Sequence, residues 1–192
     1  MNKLKNLKTK CIGQKYFYYE KIDSTQKESW RRVANNNIDN GTIIVAKNQS
    51  SAIGTHGRNW YTEKNNNIAF SIVLFPNCNI DLLNNLTFEI AEILVNIFKD
   101  LYKIKLDIKI PNDLMINDKK VGGILTETKL QGNNVKVLVI GVGINTNEKE
   151  TFDEIKNIST SIENEFNVEI DNYMVIGEFC NRLENKLICK GV

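Results

Sequence analysis

The chain has 192 residues, of which 42% are hydrophobic and 25% are charged, and its formal net charge at pH 7 is +2. A chain of this length buries a sizeable core as one domain, and so small a charge gives no support for bulk binding to nucleic acid. Its four cysteines have no CxxC spacing and its one histidine is His56, so no zinc site is indicated. Neither a signal peptide nor a membrane span is predicted, because no long apolar run is present, and we expect a cytoplasmic protein.

Taken in order along the chain, hydrophobic spacing and turn residues predict alternating strands and helices. The first half contains a strand at 16–22, a helix at 26–34, strands at 42–47 and 67–75, and a long amphipathic helix at 84–102. The second half contains strands at 106–110, 114–116, 121–130 and 135–142, and a last helix that Asp171 caps and that ends near 188. Poor alternation in 135–140 predicts a strand that is buried on both faces.

Two polar stretches in the first half suit a ligand. Ser24 and Thr25 stand at the start of the first helix, where their hydroxyls either cap the helix or face a ligand at its N-terminus. The loop after the second strand contains Gly54 and Gly57 and continues into Arg58. Small residues beside a guanidinium suit a loop that closes over a phosphate, although an ordinary surface loop has the same composition.

The stretch 109–128 concentrates most of the polar chemistry. Pro111 cannot donate to a sheet ladder, so the strand before it should end there. A short strand and a turn then separate Asp113 from Lys120, which should bring this acid and this base together at the edge of a cleft. The paired glycines Gly122-Gly123 mark a bulge or a close approach of the backbone to a ligand.

Four stretches, taken in order, resemble the biotin protein ligases. They read DSTQ at 23–26, AKNQSSAIGTHGRNW at 46–60, KIPNDL with KKVGGIL within 109–125, and IGVGINTN at 140–147. The family motifs are S-T-N, G-R-G-R-x-G-R-x-W, K-W-P-N-D-L with K-x-x-G-I-L, and G-I-G-I-N-x-N. The match covers most of the chain.

The resemblance implies an α/β (α+β) fold, a mixed β-sheet with helices packed against it, related to the catalytic fold of class II aminoacyl-tRNA synthetases. It also implies that biotin and MgATP give biotinyl-5′-AMP, which then modifies a lysine of a biotin carboxyl carrier domain of a carboxylase. Residues 1–192 are expected to be a single catalytic domain, without an N-terminal winged-helix domain or a full C-terminal barrel. Such a domain would not bind operator DNA, and it would act as a monomer or a homodimer.

The resemblance also implies site residues. The residues matching positions that bind biotin are Ser24, Thr25, Gln49, Gly54, Gly57, Lys120 and Gly123. Those matching positions near the nucleotide are Arg58, Trp60, Asn112, Asn145 and Asn147, and the catalytic matches are Lys120, Arg58 and Asp113. No metal ligands are assigned, and Asp113 has two open roles: orienting the carrier lysine or helping to hold magnesium.

The chain departs from the family pattern at three places. Gln26 replaces an asparagine, Ile110 replaces a tryptophan, and the segment 52–57 lacks two arginines. Two alternatives therefore stay open: a lipoate or octanoate ligase or transferase of the same fold, and a non-catalytic protein that binds biotin or biotinyl-AMP. The ureido partners Ser24, Thr25 and Gln49 argue against the first alternative. The charged residues Lys120, Asp113 and Arg58 argue against the second alternative, because they suit catalysis.

Overall fold

The computed structural model describes residues 4–54, 59–60, 66–149 and 157–192. Its strands are β1 Tyr16–Ile22, β2 Thr42–Gln49, β3 Ala52–Ile53, β4 Asn59–Trp60, β5 Ile68–Leu74, β6 Cys78–Asn79, β7 Asp107–Lys109, β8 Asp113–Ile116, β9 Lys119–Gln131 and β10 Asn134–Ile144. Its helices are α1 Thr25–Ala34, α2 Leu86–Tyr102, α3 Ile162–Phe166 and α4 Asn172–Cys189. In the described part of the chain, no helix is long and apolar enough to cross a membrane.

The main sheet has the strand order β1-β2-β5-β10-β9-β8-β7, and the short β6 also pairs with β10. The β1–β2 pair is parallel and the other neighbours are antiparallel, so the sheet is mixed, and the predicted fold class is confirmed. Strands β3 and β4 form a separate two-stranded sheet beside it. The central strands β5 and β10 are long and hydrophobic, which explains their central position.

Helices cover both faces of the central strands. Ile72 and Ile140 belong to the large core, together with the apolar faces of α2 and α4. Val73 and Val139 point to the opposite face and pack with Trp30 of α1. The burial of β10 on both faces agrees with the prediction from its poor alternation.

Residues 4–15, which we call the N-terminal strap, run along α4 before β1 begins. The carboxylate of Glu184 on α4 accepts hydrogen bonds from the backbone N–H groups of Lys10, Cys11 and Ile12, at 2.6, 2.9 and 2.8 Å. Burial raises the pKa of Glu184, but these three hydrogen bonds to the charged form outweigh that effect and hold the pKa below its usual value. The strap is therefore attached through an ionised carboxylate.

This attachment should depend on pH. Because the folded-state pKa of Glu184 is lowered, its stabilising contribution is complete above the unfolded value of about 4.5 and is lost as the pH falls below that value. We expect Glu184→Gln to lower the free energy of unfolding by about 1–3 kcal/mol at pH 7. The difference from the natural chain should shrink below pH 4.5. Urea unfolding across this range measures it, and the exposed Glu92→Gln on α2 is the matched control. A difference that is the same at pH 7 and pH 3 would contradict the assignment.

Candidate active site

A cleft of about 480 Å³, including the part open to solvent, lies over the middle of the sheet on the face that carries α1. The predicted site residues that line it are Ser24, Thr25, Gln49, Gly54, Trp60, Asn112, Lys120 and Gly123. Stretches that are far apart in the sequence therefore meet in one cavity.

The floor of the cleft is glycine-rich β10. A Cβ atom at Gly141 would lie 2.6 Å from Oε1 of Gln26, and one at Gly143 would lie 2.8 Å from the indole of Trp60. Real Cβ atoms do not approach other atoms so closely. These glycines lie inside a strand, and their role in the described structure is to let two side chains rest on the sheet.

The N-terminus of α1 forms one end of the cleft and is almost fully buried. Oε1 of Gln49 accepts from the Thr25 backbone N–H at 2.7 Å and lies 3.3 Å from the Thr25 hydroxyl. The Ser71 hydroxyl lies 2.9 Å from both the Thr25 hydroxyl and Oε1 of Gln26. Ser24 caps α1, accepting from the backbone N–H of Lys27, and it also lines the cleft. The cap is confirmed, and contact of Ser24 with a ligand stays a prediction. This end of the cleft presents neutral hydrogen-bonding groups in an apolar frame.

Two of the residues in this cluster, Ser71 and Glu127, did not emerge from the sequence patterns. Ser71 is the polar residue inside the buried run of β5, and a buried hydroxyl in such a run needs a partner. That polar interruption is a signal that could have identified it. Glu127 lies on β9 and accepts from Nε2 of Gln26 at 2.8 Å and from Nε1 of Trp30 at 2.6 Å. Its sequence context has no comparable signal.

The other end of the cleft is charged. Nζ of Lys120 lies 2.6 Å from Oδ1 of Asp113, and both side chains are partly exposed, at 33% and 24%. The same ammonium lies 5.4 Å from the ring centroid of Trp60, within the range of a cation–π contact. The predicted proximity of the acid and the base is thus observed.

A bulge in β9 makes this pairing possible. Gly123 faces Asp113 across the β8–β9 pair, and Lys120 precedes Gly123 by three residues, so in a regular strand Lys120 would point to the opposite face. The register shifts between Leu114 and Met115, which leaves Val121 as the extra residue. The extra residue returns Lys120 to the face of Asp113, as bulges do beside active sites.

The backbone of Lys120 is held from the other side by the segment 158–160. Its N–H donates to the Ile158 carbonyl at 2.9 Å, and its carbonyl accepts from the Thr160 N–H at 2.9 Å. Nδ2 of Asn145 donates to the Thr160 carbonyl at 3.1 Å. Asn145 therefore braces the strand end that carries Lys120.

The side chains of the other two predicted asparagines, Asn147 and Asn112, also form hydrogen bonds with the backbone. Nδ2 of Asn147 donates to the carbonyl of Ile170 at 2.8 Å, and its Oδ1 accepts from the Ile170 N–H at 2.7 Å. Nδ2 of Asn112 donates to the Ile124 carbonyl at 3.0 Å. Asn112 lines the cleft, whereas Asn145 and Asn147 do not line it.

Gly57 and Arg58, together with the Thr55 and His56 positions of the same loop, lie outside the described residues. The described residues contain no group of three or more His, Cys, Asp or Glu side chains that could hold a metal ion by themselves. Within the described residues, the carboxylate that lies next to Lys120 is that of Asp113.

Comparison with known proteins gives a consistent result. The biotin/lipoate A/B protein ligase family matches residues 18–145. The bifunctional ligase/repressor BirA of Bacillus subtilis is 37% identical over 172 residues, which are 88% of this chain and 53% of that protein. The biotin–[acetyl-CoA-carboxylase] ligase of Paracoccus denitrificans is 29% identical over 127 residues, 65% of this chain and 52% of that protein. The structure of biotin protein ligase from Aquifex aeolicus in complex with biotin and ATP matches with a TM-score of 0.75 and 26% identity, over 91% of this chain and 71% of that chain. The chain spans about half the length of these two sequence relatives.

Proposed function

Because the chain belongs to the biotin/lipoate A/B protein ligase family, we propose that it activates biotin with ATP and transfers it, through biotinyl-5′-AMP, to a lysine of a biotin carboxyl carrier domain. The observation that carries this proposal is the pairing of two environments in one cleft. Neutral hydroxyl and amide groups form one end, and the Lys120 ammonium stands at the other. Biotin has the same two ends, a neutral cyclic urea and a carboxylate.

The first step joins two anions. A carboxylate oxygen of biotin attacks the α-phosphorus of ATP, the bond to the β-phosphate oxygen breaks, and pyrophosphate leaves with that electron pair. Lys120 carries a positive charge into the region where the two anions meet, and such a charge lowers the barrier by stabilising the transition state. The ion pair with Asp113 keeps the ammonium at a fixed position before the substrates arrive.

The second step transfers the acyl group. The amine of the carrier lysine attacks the biotinyl carbonyl, the acyl–phosphate bond breaks, AMP leaves, and the amine loses a proton. Asp113 lies next to Lys120 and can orient the incoming amine. Mg²⁺ usually binds through one or two carboxylates and the phosphates of its substrate, so Asp113 also fits as one magnesium ligand beside ATP.

The proposed partner is the lysine-bearing carrier domain of a biotin-dependent carboxylase such as acetyl-CoA carboxylase. We place this reaction in the cytoplasm, because the described cysteines, Cys11, Cys78, Cys180 and Cys189, are free thiols of the kind that a reducing compartment maintains. The cleft is built from one chain, and a monomer or a homodimer would both carry it.

Pyrophosphate release on mixing the protein with biotin, ATP and Mg²⁺ tests the first step, and labelling of a carrier domain tests the second. Lipoate replaces biotin in a parallel reaction. Release and labelling with biotin alone support the proposal. Activity with lipoate alone would assign the chain to the other branch of its family. Biotin binding without pyrophosphate release would indicate a binding protein.

Substitutions at the neutral end should separate the two substrates. Gln49→Ala and Ser24→Ala are expected to weaken biotin binding by about 1–3 kcal/mol each, because a urea group in the cleft loses a partner. ATP binding should change less, since its phosphates lie toward Lys120 in this proposal. Titration calorimetry with each ligand measures both effects. Equal weakening for biotin and ATP would mean that these residues are structural and that Ser24 acts only as the helix cap.

A further inference from the structure

The strand end that carries Lys120 projects beyond its neighbour β10. The last residue pair between β9 and β10 joins Gly122 to Ile144. At Lys120 the segment 158–160 takes the place of β10 and forms a short parallel bridge, in which Ser159 is the partner of Lys120. The N–H and the carbonyl of Lys120 both bond to this segment, at 2.9 Å each. The position of the Lys120 backbone therefore depends on a segment that lies outside the regular strands.

The Glu165 carboxylate on α3 joins two chain segments that lie next to Lys120. Its Oε1 accepts from the Thr160 hydroxyl at 2.7 Å, and Thr160 belongs to the segment that bridges to Lys120. Its Oε2 accepts from Nδ2 of Asn117 at 3.0 Å, and Asn117 is in the turn between β8 and β9 that leads into Lys120. One carboxylate therefore ties the segment beside Lys120 to the turn that precedes it.

The bond from Thr160 is the shorter and the better shielded of the two. Thr160 is 1% exposed, so its hydroxyl has little access to water, and its bond to a carboxylate is charge-assisted. This bond is the largest cause of a lowered pKa at Glu165; burial opposes the shift, and Asn117 and the charge of Lys119 add to it. The carboxylate is therefore ionised near neutral pH and accepts both bonds at once.

We propose that Glu165 is a positioning residue for Lys120: by joining the bridging segment to the β8–β9 turn, it fixes the backbone from which the Lys120 ammonium reaches the cleft. In the described structure Glu165 does not line the cleft, and it acts through Thr160 and Asn117. The inference rests on the proposed function, in which that ammonium stabilises the meeting of two anions. Displacing a catalytic group by about 1 Å can cost about a hundredfold in rate, so loss of this link should appear in the chemical step.

The first test separates the rate from binding. Glu165→Ala removes both acceptors, and we expect it to slow pyrophosphate release at saturating biotin and ATP by about tenfold to a hundredfold. Biotin binding, measured by titration calorimetry, should change much less, because α3 does not contribute to the neutral end of the cleft. The matched control is Glu163→Ala on the same helix. It removes a carboxylate that pairs with Lys149 at 3.5 Å, and it should leave the rate unchanged.

Two further variants test the hydrogen bonds themselves. Thr160→Val keeps the shape of the buried side chain but removes its hydroxyl, so it should slow the reaction as Glu165→Ala does. Glu165→Gln still offers an oxygen to Thr160, and its NH₂ group can donate to Asn117, whose exposed amide can turn over to present its oxygen. This conservative variant should keep most of the natural rate. Thermal melting of each variant reports whether it folds.

The double variant with Lys120→Ala gives the strictest test. A residue that acts only by positioning the ammonium has nothing to position once the ammonium is absent, so Glu165→Ala should cause little further loss in that background. Hydrogen exchange at the Lys120 backbone N–H gives a second readout that needs no substrate. Exchange should be faster in Glu165→Ala than in the natural chain, because the bond to the Ile158 carbonyl opens more often, and it should be unchanged in Glu163→Ala.

Three results would overturn the proposal. The first is that Glu165→Ala leaves the rate unchanged, or lowers it equally with and without Lys120, because Glu165 then does not act through the ammonium. The second is that Glu165→Gln is as slow as Glu165→Ala, because the charge and not the hydrogen-bonded link then matters. The third is an unchanged exchange rate at Lys120 in Glu165→Ala. If the natural chain releases no pyrophosphate, the proposed function is wrong, and faster exchange in Glu165→Ala would still support the link between Glu165 and Lys120.

Discussion

Replacing Lys120 by alanine is expected to slow adenylate formation by roughly 10²–10³-fold while leaving the fold intact. The reason is that Lys120 lines the cleft in which, under the proposed function, the two anionic substrates meet. Loss of one preorganised positive group at such a point costs about 3–4 kcal/mol of transition-state stabilisation. Pyrophosphate release at saturating biotin and ATP measures the rate.

The adjacent Lys119→Ala is the matched control. Lys119 lies on the same strand, one residue earlier, and does not line the cleft. It should retain pyrophosphate release at nearly the natural rate. Asp113 loses its partner in Lys120→Ala, but both side chains are partly exposed, so the free energy of unfolding should change by at most about 1 kcal/mol. Near-normal release by Lys120→Ala would remove this residue from the catalytic group.

Hydrophobic periodicity was sufficient for the main elements of the fold. The predicted helix 84–102 and strand 135–142 correspond to α2 and to most of β10, because long apolar patterns have few alternative interpretations. Strands β3, β4 and β6 contain two residues each, and α3 contains five. Segments this short have no measurable period, and their structure depends on neighbours that are distant in the sequence.

The site residues that belong to short sequence motifs could be predicted. Asp113 and Lys120 were expected to lie together, and they form an ion pair. The bulge at Val121, which places Lys120 on the face of Asp113, is indicated in the sequence only by the nearby glycines. Asn145 and Asn147 carried a nucleotide-binding prediction from the family pattern. Their amides brace the segments at 158–160 and Ile170, and a nucleotide role stays a prediction.

The contacts of Glu127 could not be predicted from its position in the sequence. They join β9 to Gln26 and Trp30 of α1, which are 101 and 97 residues away along the chain. The departure at Gln26 is informative in the structure, because its amide oxygen lies 2.6 Å from the position that a Cβ atom of residue 141 would take. Ile110, the other single-residue departure, is 76% exposed and packs little.

The largest expected effect on stability comes from Gly177 on α4. A Cβ atom at this position would lie 2.0 Å from the carbonyl oxygen of Lys5 in the N-terminal strap, and that oxygen belongs to the backbone and cannot rotate away. The backbone N–H of Lys5 also donates to the Tyr173 carbonyl at 3.2 Å, and its ammonium pairs with Asp171 at the start of α4. The close approach of strap and helix therefore requires a glycine.

Two effects of Gly177→Ala oppose each other. Alanine favours a helix over glycine by about 1 kcal/mol. A clash with fixed backbone costs about 1–3 kcal/mol, or more where neither side can move, and displacement of the strap also loses the contacts of Leu4 and Leu7 with the core. The clash should win, so we expect a net loss of about 2 kcal/mol and a fall in melting temperature of roughly 4–8 °C.

The decisive comparison places the same substitution in a chain that begins at Leu7 and so lacks the Lys5 carbonyl. The hydrogen bonds of Glu184 to residues 10–12 are retained in that chain. There Gly177→Ala should be neutral or stabilising by up to about 1 kcal/mol, because only the helix preference remains. Limited proteolysis should cut residues 4–9 faster in the full-length variant than in the natural chain. If the substitution lowers the melting temperature equally in both chains, the constraint on Gly177 comes from within α4 and the strap does not impose it.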